Sequence, residues 1–176
     1  AAGSCTKGME TIRKLRRRVE QHMHGGKVLM VTSLLENEGK STIAVNLALA
    51  MAQKHEKVLL IDCDLRKPAC HILLEQKNIP YGVHDVLAGR TEINEAILQD
   101  RKSDLYLLLE KRGNSSSGDF VASAAMEELL DWARNAFDFV VLDLPPMAEV
   151  SDAESVTAYA DASLLVVRQN VAHANA

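Results

Sequence analysis

The amino-acid sequence predicts a doubly wound α/β domain, with a mainly parallel β-sheet and helices on both of its faces. Short aliphatic and β-branched runs alternate along the chain with segments of helical periodicity, which is typical of this fold class. The strand candidates are apolar on both faces, as expected for parallel strands that helices cover on both sides. The length of 176 residues suits one domain.

Five segments are predicted to be strands because they are short, apolar and free of inside/outside alternation. They are residues 27–33, 57–62, 105–109, 139–143 and 163–168. Three further segments have the apolar spacing of helices and lie between the strands, at residues 42–54, 91–99 and 123–136. Strand and helix therefore follow each other in turn.

The first 26 residues are predicted to be a separate basic helix that ends at Gly25 and Gly26, with an oligomerisation motif discussed below. Residues 27–176 then form the single domain. Within it, residues 113–118 have the sequence GNSSSG, which is polar and flexible and is predicted to be a loop.

Composition excludes several classes of protein. The net charge is −4, from 20 Lys and Arg against 24 Asp and Glu, so no nucleic-acid partner is expected. The three cysteines (Cys5, Cys63 and Cys70) form no CxxC pair, which argues against a disulfide framework or a zinc site. Neither a run of ~20 apolar residues nor a signal pattern is found. We therefore expect a soluble, cytoplasmic domain.

The segment SLLENEGKST, residues 33–42, follows a predicted strand and opens a predicted helix. In that context backbone N–H groups and the helix dipole attract phosphate. Lys40 can reach the β- and γ-phosphates, and the Ser41 hydroxyl can bind Mg²⁺. Leu34 departs from the pattern, because a glycine is usual there. The nucleotide-binding candidates are Asn37, Glu38, Gly39, Lys40, Ser41 and Thr42.

Carboxylates end two of the predicted strands: Asp62 and Asp64 follow one, and Asp143 ends another. The carboxyl ends of parallel strands meet at one edge of the sheet, where ligands bind. Hard oxygen ligands beside a triphosphate favour Mg²⁺, with Ser41, Asp62, Asp64 and Asp143 as candidate ligands. The alternative at each position is a carboxylate that only caps a helix or meets solvent.

On these motifs, the sequence resembles the bacterial tyrosine kinases of the capsular and exopolysaccharide type. They are relatives of the deviant Walker ATPases that partition chromosomes and place division sites, and are P-loop NTPases. The similar segments are residues 40–42 (KST, Walker A), 62–68 (DCDLRKP), 81–89 (YGVHDVLAG), 137–146 (FDFVVLDLPP, Walker B) and 151–153 (SDA).

The resemblance implies that ATP and Mg²⁺ are used to phosphorylate a tyrosine from the tail of a neighbouring subunit. It implies catalytic roles for Lys40, Asp62 and Asp64. Lys40 would neutralise charge on the β/γ oxygens, and Asp62 would act as base or positioning group near the attacking hydroxyl. Asp64 and Asp143 would complete the magnesium shell. Arg168 and Asn170 follow the last strand and are placed near the adenine by position alone.

Glu10, Arg13 and Arg16 match the E-x-x-R-x-x-R motif that joins subunits of this family into a ring. The resemblance also implies a transmembrane polysaccharide co-polymerase as activator, separate or fused, and a location at the inner face of the plasma membrane. Two alternatives remain for the N-terminal helix: a solvated basic helix, extended by Arg17 and Arg18, and contact with anionic lipid headgroups.

Several positions depart from the family pattern. Glu36 and Asn37 stand where Pro-Gly is usual, so Asn37 must tolerate a positive φ and Glu36 adds negative charge beside the phosphates. Leu144 replaces a common threonine. The tyrosines (Tyr81, Tyr106 and Tyr159) form no terminal cluster.

Two other functions stay open. A partitioning-type ATPase switch without tyrosine transfer would carry an additional lysine where this chain has Ser33, Leu34 and Leu35. A degenerate interaction module, which binds nucleotide or only its membrane adaptor, would fit Glu36 and Asn37 but not the retained lysine and carboxylates.

Overall fold

The computed structural model describes residues 2–55, 57–114, 123–150 and 157–169, with side chains from residue 7 onward. The helices are α1 Ala2–Met23, α2 Lys40–Ala52, α3 Cys70–Leu73, α4 Val83–Leu87, α5 Ile93–Ala96 and α6 Ala124–Ala136, with a 3₁₀ turn at Met147–Glu149. The strands are β1 Val28–Ser33, β2 Val58–Asp62, β3 Leu98–Gln99, β4 Tyr106–Leu108, β5 Phe139–Asp143 and β6 Ala162–Val166.

The six strands form one sheet in the order β3-β4-β2-β5-β1-β6. All neighbouring pairs are parallel except β3 and β4, which are antiparallel. The prediction of a doubly wound, mainly parallel sheet is therefore confirmed. Strand β1, which precedes the predicted phosphate-binding loop, lies beside β5, and β5 lies beside β2. The three strands that lead into the predicted site residues are therefore neighbours.

Hydrophobic cores lie on both faces of the sheet because successive strand residues point to opposite sides. On one side, Leu29 and Leu60 pack with residues of α1 and α2. On the other side, Met30 and Leu59 pack with α6 and α4. Strands β1, β2 and β5 are buried along their whole length, as the lack of alternation in their sequences predicts.

The edge strand β6 differs from the prediction of strands covered on both faces. Its residues alternate between partly buried and exposed, and Leu165 is 47% exposed. In the part of the chain that the structure describes, β6 lies at the edge of the sheet and pairs with β1 alone, so less of its surface is covered.

The predicted helix at residues 91–99 is wrong over most of its length. The helix is the single turn α5, and Ile97 has an extended backbone with φ −71° and ψ 127°. Ile97 then packs on the α6 side of the sheet and Leu98 on the α2 side. Adjacent apolar residues that face opposite sides require strand geometry, and Leu98 pairs with Leu107 of β4.

Helix α1 lies against α2, with Val19 and Met23 buried at the contact. It ends where His24 and Gly25 adopt positive φ of 48° and 85°. Gly26 approaches Asp161 so closely that a Cβ atom would lie 2.4 Å from its side chain. Within the described ranges, no helix combines the length and apolar character needed to cross a bilayer.

Some predictions fall on residues that the structure does not describe. They concern the SDA segment at residues 151–153, Asn170, and the part of the predicted loop from residue 115 to residue 118. These predictions lie outside the described residues. The division of the chain at residue 26 also stays a prediction.

Asp161 ties the start of β6 to the start of β1 and to the end of α6. One carboxylate oxygen accepts the backbone N–H groups of Lys27 and Val28, each at 2.8 Å, and the guanidinium of Arg134 at 2.9 Å. Partial burial raises the pKa of Asp161, but these donors outweigh it, so its pKa lies below the ordinary value.

We expect Asp161→Asn to lower the free energy of unfolding by about 1 kcal/mol at neutral pH, because the charge that strengthens these hydrogen bonds is lost. A depressed folded-state pKa gives stability that is present above the ordinary value and is lost as pH falls through the folded value. The loss of unfolding free energy caused by Asp161→Asn should therefore become smaller at acidic pH. Urea unfolding across pH measures it, with the exposed Asp131→Asn as control; a cost independent of pH would contradict the electrostatic account.

Candidate nucleotide-binding site

Two residues of the loop between β1 and α2 adopt the left-handed backbone conformation before the helix begins. Asn37 has a φ of 60° and Gly39 a φ of 85°. Glycine adopts this conformation without cost, and asparagine tolerates it better than most other residues. Helix α2 then begins at Lys40. The replacement of a usual glycine by Asn37 is thus compatible with the turn.

Lys40 is buried at the start of α2, and its ammonium lies among oxygen atoms. Its Nζ is 2.9 Å from Asp143 Oδ1, 3.1 Å from Asp64 Oδ2 and 3.3 Å from Ser41 Oγ. Burial lowers the pKa of Lys40, but the two carboxylates outweigh it and raise the pKa above its ordinary value. Lys40 therefore stays charged and holds three segments together.

Ser41 completes this cluster. Its hydroxyl donates to Asp143 Oδ2 at 2.6 Å. Asp143 is fully buried at the end of β5, and the strand register places it directly opposite Asp62 of β2. The sheet thus brings both predicted acidic strand ends to the N-terminus of α2.

Asp62 is fully buried and bound to backbone rather than to Lys40. Its oxygens accept N–H groups from Asp64 at 3.1 Å, Ala69 at 3.2 Å and Cys70 at 3.1 Å. Burial and the nearby charge of Asp143 raise the pKa of Asp62 well above its ordinary value. In this arrangement Asp62 fixes the turn between β2 and α3.

Cys70 is a neighbour of these acids that sequence reasoning missed. Its thiol donates to Asp143 Oδ2 at 3.3 Å, and one ligand atom each of Asp62, Cys70 and Asp143 lie within 4.8 Å of one another. Burial, followed by the charges of Asp62 and Asp143, raises the pKa of Cys70 well above its ordinary value. Nothing in the spacing of the sequence indicates this contact.

A cleft of about 270 Å³ lies beside this cluster. Its walls include all six nucleotide-binding candidates, from Asn37 to Thr42, together with Asp64. Asp62 and Asp143 lie beneath it and do not line it. The backbone N–H of Arg168 donates to Glu38 Oε1 of the loop at 3.4 Å, and Arg168 does not line the cleft.

Other wall residues were not predicted: Ile72, Leu73, Pro146, Lys67 and Glu149. The Lys67 ammonium donates to Glu36 of the loop across the cleft. A hydrogen bond from Glu149 and the Lys67 charge lower the pKa of Glu36, and the same hydrogen bond raises the pKa of Glu149. The exposed Glu36 and Lys67 and the half-buried Glu149 join the loop to the segments after β2 and β5.

The oxygen atoms at the cleft wall and directly beneath it fit a magnesium nucleotide. The Ser41 hydroxyl and the carboxylates of Asp64 and Asp143 are hard oxygen ligands of the kind that Mg²⁺ prefers. The Lys40 ammonium, among the same oxygens, supplies positive charge beside the start of a 13-residue helix. That combination favours phosphate.

The three residues of the N-terminal motif do not share one face. Glu10 and Arg13 are exposed, whereas Arg16 is half-buried and donates to the backbone oxygen of Ala50 in α2 at 3.1 Å. Each step of three residues turns a helix back by about 60°. Arg16 therefore faces α2, away from Glu10.

Comparison with known proteins agrees with this geometry. Residues 27–175 match a protein-family model described as AAA domain. The chain is 34% identical over 165 residues to the tyrosine-protein kinase wzc of Salmonella typhimurium, covering 93% of this chain and 23% of that protein. It is 38% identical over 141 residues to the tyrosine-protein kinase YwqD of Bacillus subtilis, covering 80% of this chain and 59% of that protein.

Among solved structures, the kinase domain of the Escherichia coli tyrosine kinase ETK superimposes with a TM-score of 0.85 at 32% identity. The match covers 93% of this chain and 64% of the ETK chain. The chain thus spans only part of the curated relatives. Because the family model covers most of the chain and the fold and P-loop agree with it, the chain belongs to the AAA-domain family of P-loop proteins and is homologous to the bacterial tyrosine kinases.

Proposed function

We propose that the chain is the kinase domain of an ATP-dependent protein tyrosine kinase that regulates capsular or exopolysaccharide synthesis and export. The observation that carries this proposal is the buried cluster of Lys40 with Ser41, Asp64 and Asp143 beside the cleft. Such a cluster provides positioning and charge stabilisation, which are the main contributions to phosphoryl transfer. The names of the relatives Wzc, YwqD and ETK support the choice of tyrosine as acceptor.

Each residue of the cluster has a part in the proposed reaction. Lys40 binds the β- and γ-phosphates of ATP and neutralises the charge that develops on their oxygens. Ser41, Asp64 and Asp143 would hold Mg²⁺, which supplies further neutralising charge when bound. The loop from Asn37 to Thr42 provides the backbone around the phosphates.

Asp62 remains the candidate for base or positioning group toward the attacking tyrosine hydroxyl. The first role rests on the resemblance to the family, because Asp62 is fully buried beneath the cleft and does not line it. Its three backbone hydrogen bonds support the second, because they fix the segment that carries Asp64. Metal binding by Asp62 has less support, since the same bonds occupy its oxygens.

The assembly we propose is a homo-oligomeric ring in which the tyrosine tail of one subunit enters the site of the next. Arg13 and Glu10 are exposed and available to a neighbour. A transmembrane polysaccharide co-polymerase would act as activator and hold the domain at the inner face of the plasma membrane. The relative ExoP of Rhizobium meliloti, named a succinoglycan biosynthesis transport protein, is consistent with such a partner.

The kinase proposal predicts tyrosine phosphorylation by the chain with Mg²⁺ and γ-labelled ATP, using a tyrosine-rich peptide as acceptor. Lys40→Met should reduce label on tyrosine at least about 100-fold, because the charge at the transferring phosphate is lost. The exposed Lys102→Met is the matched control and should keep full activity. Circular dichroism checks that both variants are folded.

Other distributions of the label would contradict the proposal. Label that appears only in free phosphate, even with an activator fragment present, would favour the ATPase switch. Nucleotide binding without transfer or hydrolysis would favour the interaction module. Full transfer by Lys40→Met would exclude this cluster as the site.

The ring proposal predicts that Arg13→Glu shifts the chain toward monomer in sedimentation velocity, because the exposed cation of the motif is reversed in sign. Arg17→Glu changes the same charge one turn further along α1, outside the motif, and should leave the oligomer intact. Equal dissociation by both substitutions would instead indicate a general effect of net charge on assembly.

The charge of Glu36 predicts a measurable effect on nucleotide affinity. Glu36→Gln should tighten binding of a fluorescent ATP analogue about two- to fivefold, since a surface charge that repels phosphate and pairs with Lys67 is removed. Glu75→Gln removes an exposed acid that pairs with Lys102 elsewhere and should have no effect. Weaker binding by Glu36→Gln would mean that Glu36 supports the loop instead.

A further inference from the structure

Helix α1 has a buried side and an outer side of very different chemistry. Val19 and Met23 on the buried side pack against the core next to α2. On the outer side lie four exposed cations, which we name the outer basic face: Lys7, Lys14, Arg17 and Arg18. These positions recur at helical spacing over 11 residues, which corresponds to about 17 Å of helix.

Acidic side chains hardly offset this face. Glu10 lies within it and pairs with Lys14 at 3.4 Å, but both side chains are about two-thirds exposed. Such a surface pair is weak and readily exchanged for another partner. The other acid of the helix, Glu20, is turned to the α2 side, where it accepts from Lys54 and His55. The four cations therefore face outward with one acid among them.

The contrast with the rest of the chain is large. Helix α1 carries six Lys and Arg residues and two acids. The whole chain has 20 Lys and Arg residues and 24 Asp and Glu residues. The residues outside α1 therefore hold 14 basic and 22 acidic side chains. A net positive helix thus lies on the surface of a net negative domain. Such an arrangement orients the molecule in front of a negatively charged surface.

We propose that the outer basic face binds an anionic phospholipid membrane, independently of the kinase activity. Clusters of four or more Lys and Arg on one helix are the typical binding element for anionic lipid headgroups. A membrane is flat and can contact the exposed outer side of α1 directly. A nucleic acid large enough to bind tightly would also meet the acidic remainder of the chain, and the described part of α1 has no aromatic residue to stack on bases.

The face borders the motif proposed for subunit contact and shares Glu10 with it, but the two arginines of that motif lie on the α2 side of the helix. Arg13 lines a groove between α1 and α2 together with Met9, Ile12 and Asn46. Arg16 also faces α2. None of the four residues of the outer basic face lines this groove. A neighbouring subunit and a membrane can therefore use different sides of the same helix.

The test is co-sedimentation of the 176-residue chain with vesicles of phosphatidylcholine that contain about a third phosphatidylglycerol. We expect binding to these vesicles, no binding to pure phosphatidylcholine, and loss of binding between about 0.1 M and 0.5 M salt. Each cation near such a surface contributes about fivefold to the partition coefficient. Replacing Lys7, Lys14, Arg17 and Arg18 by Gln should thus lower partitioning more than tenfold.

The matched control replaces four exposed cations elsewhere, Lys77, Arg101, Lys102 and Arg112, by Gln, and so changes net charge equally. It should retain vesicle binding, and thermal melting checks that both quadruple variants are folded. Equal loss in both variants, or full binding by the α1 variant, would overturn the proposal. So would binding of a short DNA duplex, but not of vesicles, through the same four residues.

Discussion

The buried ammonium of Lys40 is the interaction on which the rest of the site depends. It joins the P-loop helix to Asp143 of β5 and to Asp64 after β2. Desolvation of three charges is expensive, and the cost is offset only when each has its partner at short range. Loss of any one partner would leave an uncompensated charge in the core. The three segments that form the candidate phosphate site are therefore mutually fixed.

Strand register supports this cluster from below. The pairing of β2 with β5 sets Asp62 opposite Asp143. A slip of one residue would turn one of these carboxylates to the other face of the sheet. Asp62 is instead held by three backbone N–H groups, one of them from Cys70 at the start of α3. The hydrophobic strands, buried on both sides, thus specify the register that assembles the polar site.

Local pattern was sufficient to predict much of this arrangement. The five short apolar runs and the sequence of residues 33–42 indicated which strands end in candidate site residues, and the parallel sheet then brought Asp62 and Asp143 together. Contacts between residues that are distant in sequence could not be predicted from the sequence. The proximity of Cys70 to Asp143 and the crossing of Lys67 to Glu36 depend on how the turn after β2 folds back. At residues 91–99, the apolar spacing also fits a helix, so it did not indicate that Ile97 and Leu98 point to opposite sides of the sheet.

The N-terminal helix shows how one motif can serve two constraints. Helical rotation separates Glu10 from Arg16, so a single flat partner could not contact both. Arg16 instead makes a contact within the chain: its guanidinium donates a hydrogen bond to the backbone oxygen of Ala50, which fixes α1 on α2. That attachment holds Arg13 over the groove and keeps the outer basic face pointing away from the domain. Packing inside the subunit thus fixes the orientation of the two exposed sides of α1, on which the proposed assembly and the proposed membrane contact both depend.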